Sequence, residues 1–263
     1  MGSARTSTST LATLRGYIEC IETQGVAMAG RIALGHSEAD AALQGGLARG
    51  VLHEVFAKGG RHSAAASGFI AGLTARVSAR RPLVWVRQDF CEIESGALSM
   101  HGLAEIGLDP RALVAVRAVD VESALRTAAD ALACDALGAV VLEVWGEARP
   151  LDLVASRKLT LAAQTSGVTG LLLRLAAEPA PSTAESRWIV RAAHSPPDAS
   201  WSEWGAPRFD AELVRNRHGP TGRWIMEWKC DECLFSETAD PQPVAAAPAH
   251  RPHQAGVVLR RAG

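Results

Sequence analysis

A short apolar strand that runs into a glycine-bearing turn and then an alanine-rich helix constrains this chain more than any other segment. The strand ends at Phe56, the turn contains Gly59 and Gly60, and the helix follows from Ser63. Strand, loop and helix in this order form the setting of a phosphate-binding loop, whose G-x-x-x-x-G-K-[ST] pattern supplies backbone N–H groups, a lysine and a metal-holding hydroxyl. The segment therefore predicts an α/β fold built around such a unit.

The residues that bind phosphate in such a loop are absent here. Laid over the pattern without a gap, the chain has Ala57 and His62 in place of the two glycines. Ser63 stands for the lysine and Ala64 for the metal-holding hydroxyl residue. Removing a single preorganised donor to developing charge costs about 2.7–4 kcal/mol in catalysis. The combined loss therefore predicts that the protein does not hydrolyse ATP.

Other features of the sequence do not restore an active site. Lys58 and Arg61 lie in the loop and leave two interpretations, weak phosphate binding or a solvated loop with two basic side chains. The chain contains no G-x-S-x-G and no H-E-x-x-H motif. We therefore expect neither catalytic residues nor a cofactor.

Apolar strands alternate with helical segments through most of the chain. This order predicts βαβ units in an α/β fold, with a mixed, mostly parallel sheet flanked by helices and a C-terminal antiparallel hairpin. Besides the strand that ends at Phe56, the predicted strands span 83–86, 113–116, 139–144, 170–175, 209–216 and 223–228, and the predicted helices span 63–80, 93–106, 121–136 and 151–165.

Composition divides the chain into a core and two terminal segments. Residues 1–10 are rich in Ser and Thr and are predicted to be disordered. Residues 11–32 are predicted to form an amphipathic helix and a connection to the core, which spans 33–236. From 237 to 263 the chain is rich in Pro and Ala, which predicts a flexible tail.

Several stretches of the core resemble the RecA recombinases. Residues 34–56 are similar to the segment that leads into the RecA phosphate-binding loop, and residues 83–89 are similar to the strand that carries the catalytic glutamate. Residues 139–143 resemble the Walker B strand. The resemblance implies a RecA-like core with a degenerate loop, in which Asp89 and Glu143 stand at vestigial acidic positions.

Within that superfamily the chain looks like the ImuA family. The supporting segments are W-V-R-Q-D-F at 85–90, G-L-D-P at 107–110, L-D-L-V-A-S-R-K-L at 151–159 and V-R-N-R-H-G-P-T-G at 214–222. The resemblance implies a non-catalytic accessory factor of SOS-induced translesion synthesis, the mutagenic branch of DNA repair and damage tolerance. The alternatives are a SulA-type inhibitor of cell division and a DNA-dependent ATPase with an atypical loop.

The resemblance also implies protein partners. These are an ImuB-like polymerase paralogue, an error-prone replicative-type DNA polymerase and RecA, with self-association through the N-terminal helix as a further possibility. For the helix and the tryptophans the alternative is packing within the core, and for the tail it is no role. The candidate partner-binding residues are Leu14, Ile18, Trp201, Trp204, Trp224, Trp228, Val257, Val258 and Leu259.

Charge and hydropathy give no indication of DNA or membrane as a partner. Lys and Arg total 27 against 28 Asp and Glu, a formal net charge of −1. The segments in place of the RecA DNA-binding loops, 146–150 and 176–186, are short and carry no basic cluster beyond Arg149, which predicts weak or no direct DNA binding. No apolar run reaches the ~18–20 residues of a membrane span, and we expect a cytoplasmic protein.

Cysteine usage is typical of reduced thiols. The five cysteines are an odd number and are dispersed along the chain. Cys230 and Cys233 have C-x-x-C spacing, but zinc requires four ligands and no second pair follows. Recruitment of His250 and His253 from the tail is the alternative to the expected absence of metal.

Overall fold

The helices and strands are described from a computed structural model, which covers residues 30–78, 81–196 and 205–238. The helices are α1 (Ser37–Ala42), α2 (Ser63–Ser78), α3 (Asp89–Ser95), α4 (Met100–Glu105), α5 (Val121–Leu132) and α6 (Leu153–Ser166), and 3-10 turns lie at Gly60–His62 and Pro110–Ala112. The strands are β1 (Arg31–Ile32), β2 (Leu47–Ala48), β3 (Leu52–Ala57), β4 (Leu83–Gln88), β5 (Leu113–Ala118), β6 (Ala139–Trp145), β7 (Thr169–Leu175), β8 (Ser186–Ala192), β9 (Arg208–Asn216), β10 (Gly222–Lys229) and β11 (Leu234–Glu237).

The main sheet has the order β11-β10-β9-β8-β3-β7-β6-β4-β5. Neighbouring strands are parallel from β5 through to β8. Strands β8 to β11 are antiparallel, and β1 pairs with β2 in a separate small sheet. The predicted α/β class, mostly parallel sheet and C-terminal antiparallel hairpin are confirmed. Because β3 lies between β7 and β8, the loop that follows it lies at the carboxyl edge near the middle of the sheet.

Helices flank both faces of the sheet. Helix α2 covers one face, where the Phe69 ring lies 5.5 Å from that of Trp188 and 5.1 Å from that of Phe235, measured between centroids. These rings leave no room beside Gly72 of the same helix, because an added Cβ would lie 2.9 Å from Phe235. Helices α5 and α6 flank the other face, where Leu159 packs among apolar side chains of the parallel strands. None of the helices in the described ranges is both long and apolar enough to cross a bilayer.

The predicted single helix over residues 93–106 is wrong. The chain instead forms α3 from Asp89 and stops at Ser95, because Gly96 takes a φ of 79° that interrupts the helix. A second helix, α4, begins after Ser99, whose hydroxyl accepts the N–H of Gly102 at 3.1 Å. The earlier start is important for the site because it places Asp89 in the first turn of a helix at the end of β4.

Strand β8 is absent from the prediction, which describes a loop at residues 176–186 and no strand between that loop and residue 209. Its sequence interrupts the apolar run with Arg187 and Arg191. The structure compensates for one of these charges inside the fold, since Arg187 Nε lies 2.7 Å from an oxygen of Glu54 on β3. An arginine that is neutralised by the neighbouring strand can occupy a buried position that its sequence alone would not indicate.

Candidate functional site

The degenerate loop spans residues 57–64, between β3 and the first turn of α2. Gly59 has extended dihedral angles and the 3-10 turn follows it directly. Gly60 packs against Trp145 at the end of β6, since an added Cβ would lie 3.2 Å from the indole ring. The indole therefore lies against the loop backbone at the carboxyl edge of the sheet.

Two backbone N–H groups of this loop are bonded within the loop itself. The N–H of His62 donates to Gly59 O at 3.0 Å, and the N–H of Ser63 donates to Gly60 O. A phosphate cradle needs such groups unpaired and directed towards the anion. The 3-10 turn therefore removes donors that a working loop would offer.

The polar side chains of the loop also have partners inside the protein. Lys58 Nζ lies 2.8 Å from a carboxylate oxygen of Glu178. His62 lies between two N–H donors, with Nε2 3.2 Å from Arg61 Nε and Nδ1 3.3 Å from the backbone nitrogen of Ala192, and a neutral imidazole accepts only one of these two bonds. The exposed Ala64 offers no hydroxyl, so the positions that the pattern assigns to phosphate and metal binding carry no unpaired cation.

Glu143, the second vestigial carboxylate, is fully buried and has a partner at each oxygen. Its Oε1 accepts from Arg87 Nε at 2.9 Å, and its Oε2 accepts from Trp85 Nε1 at 2.9 Å. Arg87 lies directly opposite Glu143 in the register of β4 and β6. The negative charge of this carboxylate is therefore already neutralised by a guanidinium of the same chain.

Arg87 also ties the α3 segment to the sheet. Its Nη1 donates to Gly96 O at 2.6 Å, and its Nη2 donates to Cys91 O at 3.2 Å and to Ser95 Oγ at 2.9 Å. These acceptors include carbonyls at the carboxyl end of α3, where a cation complements the helix dipole. One side chain thus neutralises Glu143 and fixes the position of the helix above it.

Asp89, the other predicted acidic residue, has a different ion-pair partner from Glu143. It is partly exposed, and its carboxylate accepts from Arg117 Nε of β5 at 2.9 Å. Arg117 also lies 3.3 Å from Glu92 one turn along α3. The structure therefore separates the two carboxylates, one in a surface ion pair and one in the core.

The Cys91 thiol lies close to the buried carboxylate, but its nucleophilicity is low. Burial, followed by the nearby charge of Glu143, raises the pKa of the Cys91 thiol to about 12. At neutral pH such a thiol is protonated and is a poor nucleophile. In the three ranges that the structure describes, no three His, Cys, Asp or Glu side chains form a group that could hold a metal ion.

A groove of about 930 Å³ opens beside the first turn of α2. Arg87 is the one cation among the described residues that line it, and its guanidinium is already bonded to Glu143. The groove can therefore accept apolar or neutral groups more readily than a phosphate. Its other lining residues include Ser63, Ala64, Trp85, Leu98 and Ile106.

The two short segments 146–150 and 176–186 are hydrogen-bonded to the rest of the protein. Arg187 Nη2 donates to Ala180 O at 2.5 Å, and Arg215 Nη1 donates to Ser182 O at 2.7 Å. In the other segment, Arg174 Nη2 donates to Gly146 O at 3.0 Å. These three arginines thus bind the segments themselves, which leaves them poorly placed to contact DNA phosphates, whereas Arg149 is exposed.

The two described tryptophans among the candidate partner residues contribute to the core. They lie on the same face of β10, as their even spacing predicts. Trp228 is 1% exposed, and its Nε1 donates to Ile106 O at 3.2 Å, so it offers no surface to a partner in this fold. Trp224 is half-buried and donates to Glu38 at 2.9 Å. The remaining candidates, Leu14, Ile18, Trp201, Trp204, Val257, Val258 and Leu259, lie outside the described residues.

Arg87 is the site residue that sequence reasoning missed. It stands at the fifth residue of an apolar strand, and Glu143 stands at the fifth residue of another. Opposite charges at equal depth in two buried parallel strands indicate a buried pair if the strands are neighbours. The strand order, which the sequence does not reveal, supplies that condition.

Fold and site together define an α/β protein that has the strand-loop-helix frame of a phosphate-binding protein, with its loop and buried carboxylate bonded internally. No protein-family model matches the chain. Two curated relatives do, each called Protein ImuA, from Caulobacter vibrioides strains NA1000 / CB15N and ATCC 19089 / CB 15. Each is 32% identical over 197 residues, which cover 70% of this chain and 77% of the relative. The chain belongs to the ImuA family.

Proposed function

We propose that this protein is a non-catalytic accessory factor of translesion synthesis that acts by binding other proteins. The observation that carries the proposal is the Arg87–Glu143 pair, because it fills the metal side of the site with a residue of the chain itself. Membership of the ImuA family supports the assignment to DNA damage tolerance. The RecA-like character of the core is part of the proposal and is supported by the strand-loop-helix frame at β3 and α2.

The protein should show no DNA-stimulated ATP hydrolysis. The physical reason is that the loop lacks the lysine and the metal-holding hydroxyl of the pattern, and that Glu143 is already paired with Arg87. Phosphate release would be measured with and without single-stranded DNA, for the natural sequence and for Asp89→Asn. Both should match the rate without enzyme. Stimulated release that the Asp89→Asn change abolishes would contradict the proposal and favour a DNA-dependent ATPase with an atypical loop.

The proposed partners are an ImuB-like polymerase paralogue, an error-prone replicative-type polymerase and RecA. Direct binding to DNA is weak or absent in this proposal, because Arg174, Arg187 and Arg215, three of the arginines near the two short segments, are bonded to them. The candidate contacts outside the described residues are Leu14 with Ile18 in one segment and Val257 to Leu259 in the other. A SulA-type inhibitor would instead bind the division tubulin.

Capture experiments with purified partners would separate these functions. The full chain should retain the polymerase paralogue, and removal of residues 239–263 or the change Leu14→Asp should reduce that retention at least severalfold. The deletion starts after the described core, because Glu237 still pairs with Met226 in the sheet. Thr13→Asp and Arg251→Glu are the matched controls and should retain the partner.

Binding of the division tubulin with no retention of any translesion protein would contradict the proposed function. Full retention of the partner by both the deletion and Leu14→Asp would exclude those two segments as the contacts.

A further inference from the structure

The main sheet has one protected edge and one open edge. At β11 the edge is covered, since the N–H of Phe235 donates to Leu34 O at 2.9 Å. At the other end, β5 pairs with β4 and has no second strand among the described residues. Strand β5 contains no proline and pairs with β4 without a register shift, so two of the devices that protect an edge are missing, and its one charged side chain, Arg117, is paired with Asp89. An edge of this kind can accept an added strand.

Exposed apolar side chains lie beside this edge. Val114 on β5 is 55% exposed, and Val119, just after the strand, is 81% exposed. Ile93 on α3 is 77% exposed, and α3 is joined to β5 by the ion pairs of Arg117. We call residues 113–119 together with Ile93 the β5 edge surface. Apolar groups exposed this far in one region indicate a binding surface.

The segments that meet at the carboxyl end of β5 are acidic. Arg117 is already paired with Asp89 and lies close to Glu92. Asp120 follows the strand as the N-cap of α5, where it accepts the N–H of Ser123 at 2.7 Å. Carboxylates outnumber guanidinium groups there, since Asp89, Glu92, Glu94, Asp120 and Glu122 stand against Arg117 and Arg126. A strand that adds to β5 should therefore be apolar and carry positive charge at one end.

We propose that the β5 edge surface binds residues 257–261 of the same chain as an added strand. This segment is Val-Val-Leu-Arg-Arg, three apolar residues of which two are β-branched, followed by two cations. Its apolar part matches Val114 and Val119, and its arginines match the acidic groups around Asp120. In this arrangement a partner that binds the tail must displace it from β5, which adds a layer of control to the proposed function.

The connecting chain is long enough for this contact within one molecule. The nine strands of the main sheet are separated by about 4.8 Å each, so its two edges lie about 38 Å apart. The 18 residues from 239 to 256 can span up to about 60 Å when extended. A second copy of the chain is therefore not required.

Hydrogen exchange on the full chain tests the proposal. In the natural sequence, the alternate amides of residues 113–118 that point away from β4 should be protected. Arg260→Glu should make them exchange about tenfold faster, because it places a carboxylate against acidic groups. Arg251→Glu, the same charge change outside the segment, should leave exchange unaltered. Val114→Lys should match the effect of Arg260→Glu, whereas Val154→Lys, at an exposed site on α6, should have no effect.

Equal exchange of residues 113–118 in the natural sequence, Arg260→Glu and Val114→Lys would overturn the proposal. Protection that grows with protein concentration would also overturn it, since a second copy would then supply the strand. The nucleotide experiment does not involve the tail, and the deletion should reduce capture whether or not the tail lies on β5, so the two proposals can fail separately.

Discussion

Replacing Arg87 by methionine should lower the free energy of unfolding by about 3–5 kcal/mol, because it leaves a buried carboxylate without its counter-charge. Glu143 is fully buried and would keep only the indole N–H of Trp85. The carbonyls of Cys91 and Gly96 would also lose their donor. Chemical denaturation monitored by tryptophan fluorescence measures the change.

Two further variants distinguish a buried charge from a general packing defect. Adding Glu143→Leu to Arg87→Met removes the uncompensated charge, and stability should recover by most of the loss. Arg117→Met breaks an ion pair of similar length whose arginine is 63% exposed, and it should cost no more than about 1 kcal/mol. If the double variant is as unstable as Arg87→Met, the stability of the region does not depend on charge compensation.

Acid should destabilise the protein through His53. Burial lowers the pKa of this imidazole to about 4, against an ordinary value of 6.5. Its Nε2 donates to Ala48 O at 2.8 Å, and its Nδ1 accepts from Ser186 Oγ at 2.7 Å. The neutral ring is satisfied by these two bonds, and a second proton would remove the acceptor that Ser186 requires.

The direction of the pH effect follows from the lowered pKa of His53. Between pH 6.5 and about 4 the unfolded chain takes up a proton that the folded chain does not. The contribution is therefore fully present above pH 6.5 and is lost as pH falls, by up to about 3 kcal/mol. His53→Gln should flatten the dependence in this window, whereas His101→Gln, at an exposed ring, should retain it. An identical slope in all three proteins would show that His53 does not cause it.

Part of the fold can be predicted from local patterns in the sequence. The parallel strands are apolar runs bounded by helices, and the structure extends each by only one or two residues at β4, β5, β6 and β7. The division of residues 93–106 into α3 and α4 does not follow, because it depends on one glycine with a positive φ. Strand β8 does not follow either, since its arginine is acceptable only beside Glu54, 133 residues away.

The candidate site could also be predicted only in part from the sequence. The sequence identifies the loop positions and both carboxylates, because these are defined by a short pattern around Ala57 and by strand ends. It does not reveal that Arg87 faces Glu143, since only the order and register of β4 and β6 bring them together. A degenerate motif indicates which chemistry has been lost, whereas the three-dimensional neighbours show what replaces it.

The positive charge beside Glu143 belongs to a side chain of the protein, so it is present at all times. A metal ion that arrives with a nucleotide leaves with the products. In a protein that uses such an ion, the rate of hydrolysis therefore sets how long the bound state lasts. The guanidinium of Arg87 cannot dissociate or be exchanged, and it holds α3 through Gly96 and Ser95 continuously. The attachment of α3 to the sheet at this position therefore requires no bound metal ion or nucleotide.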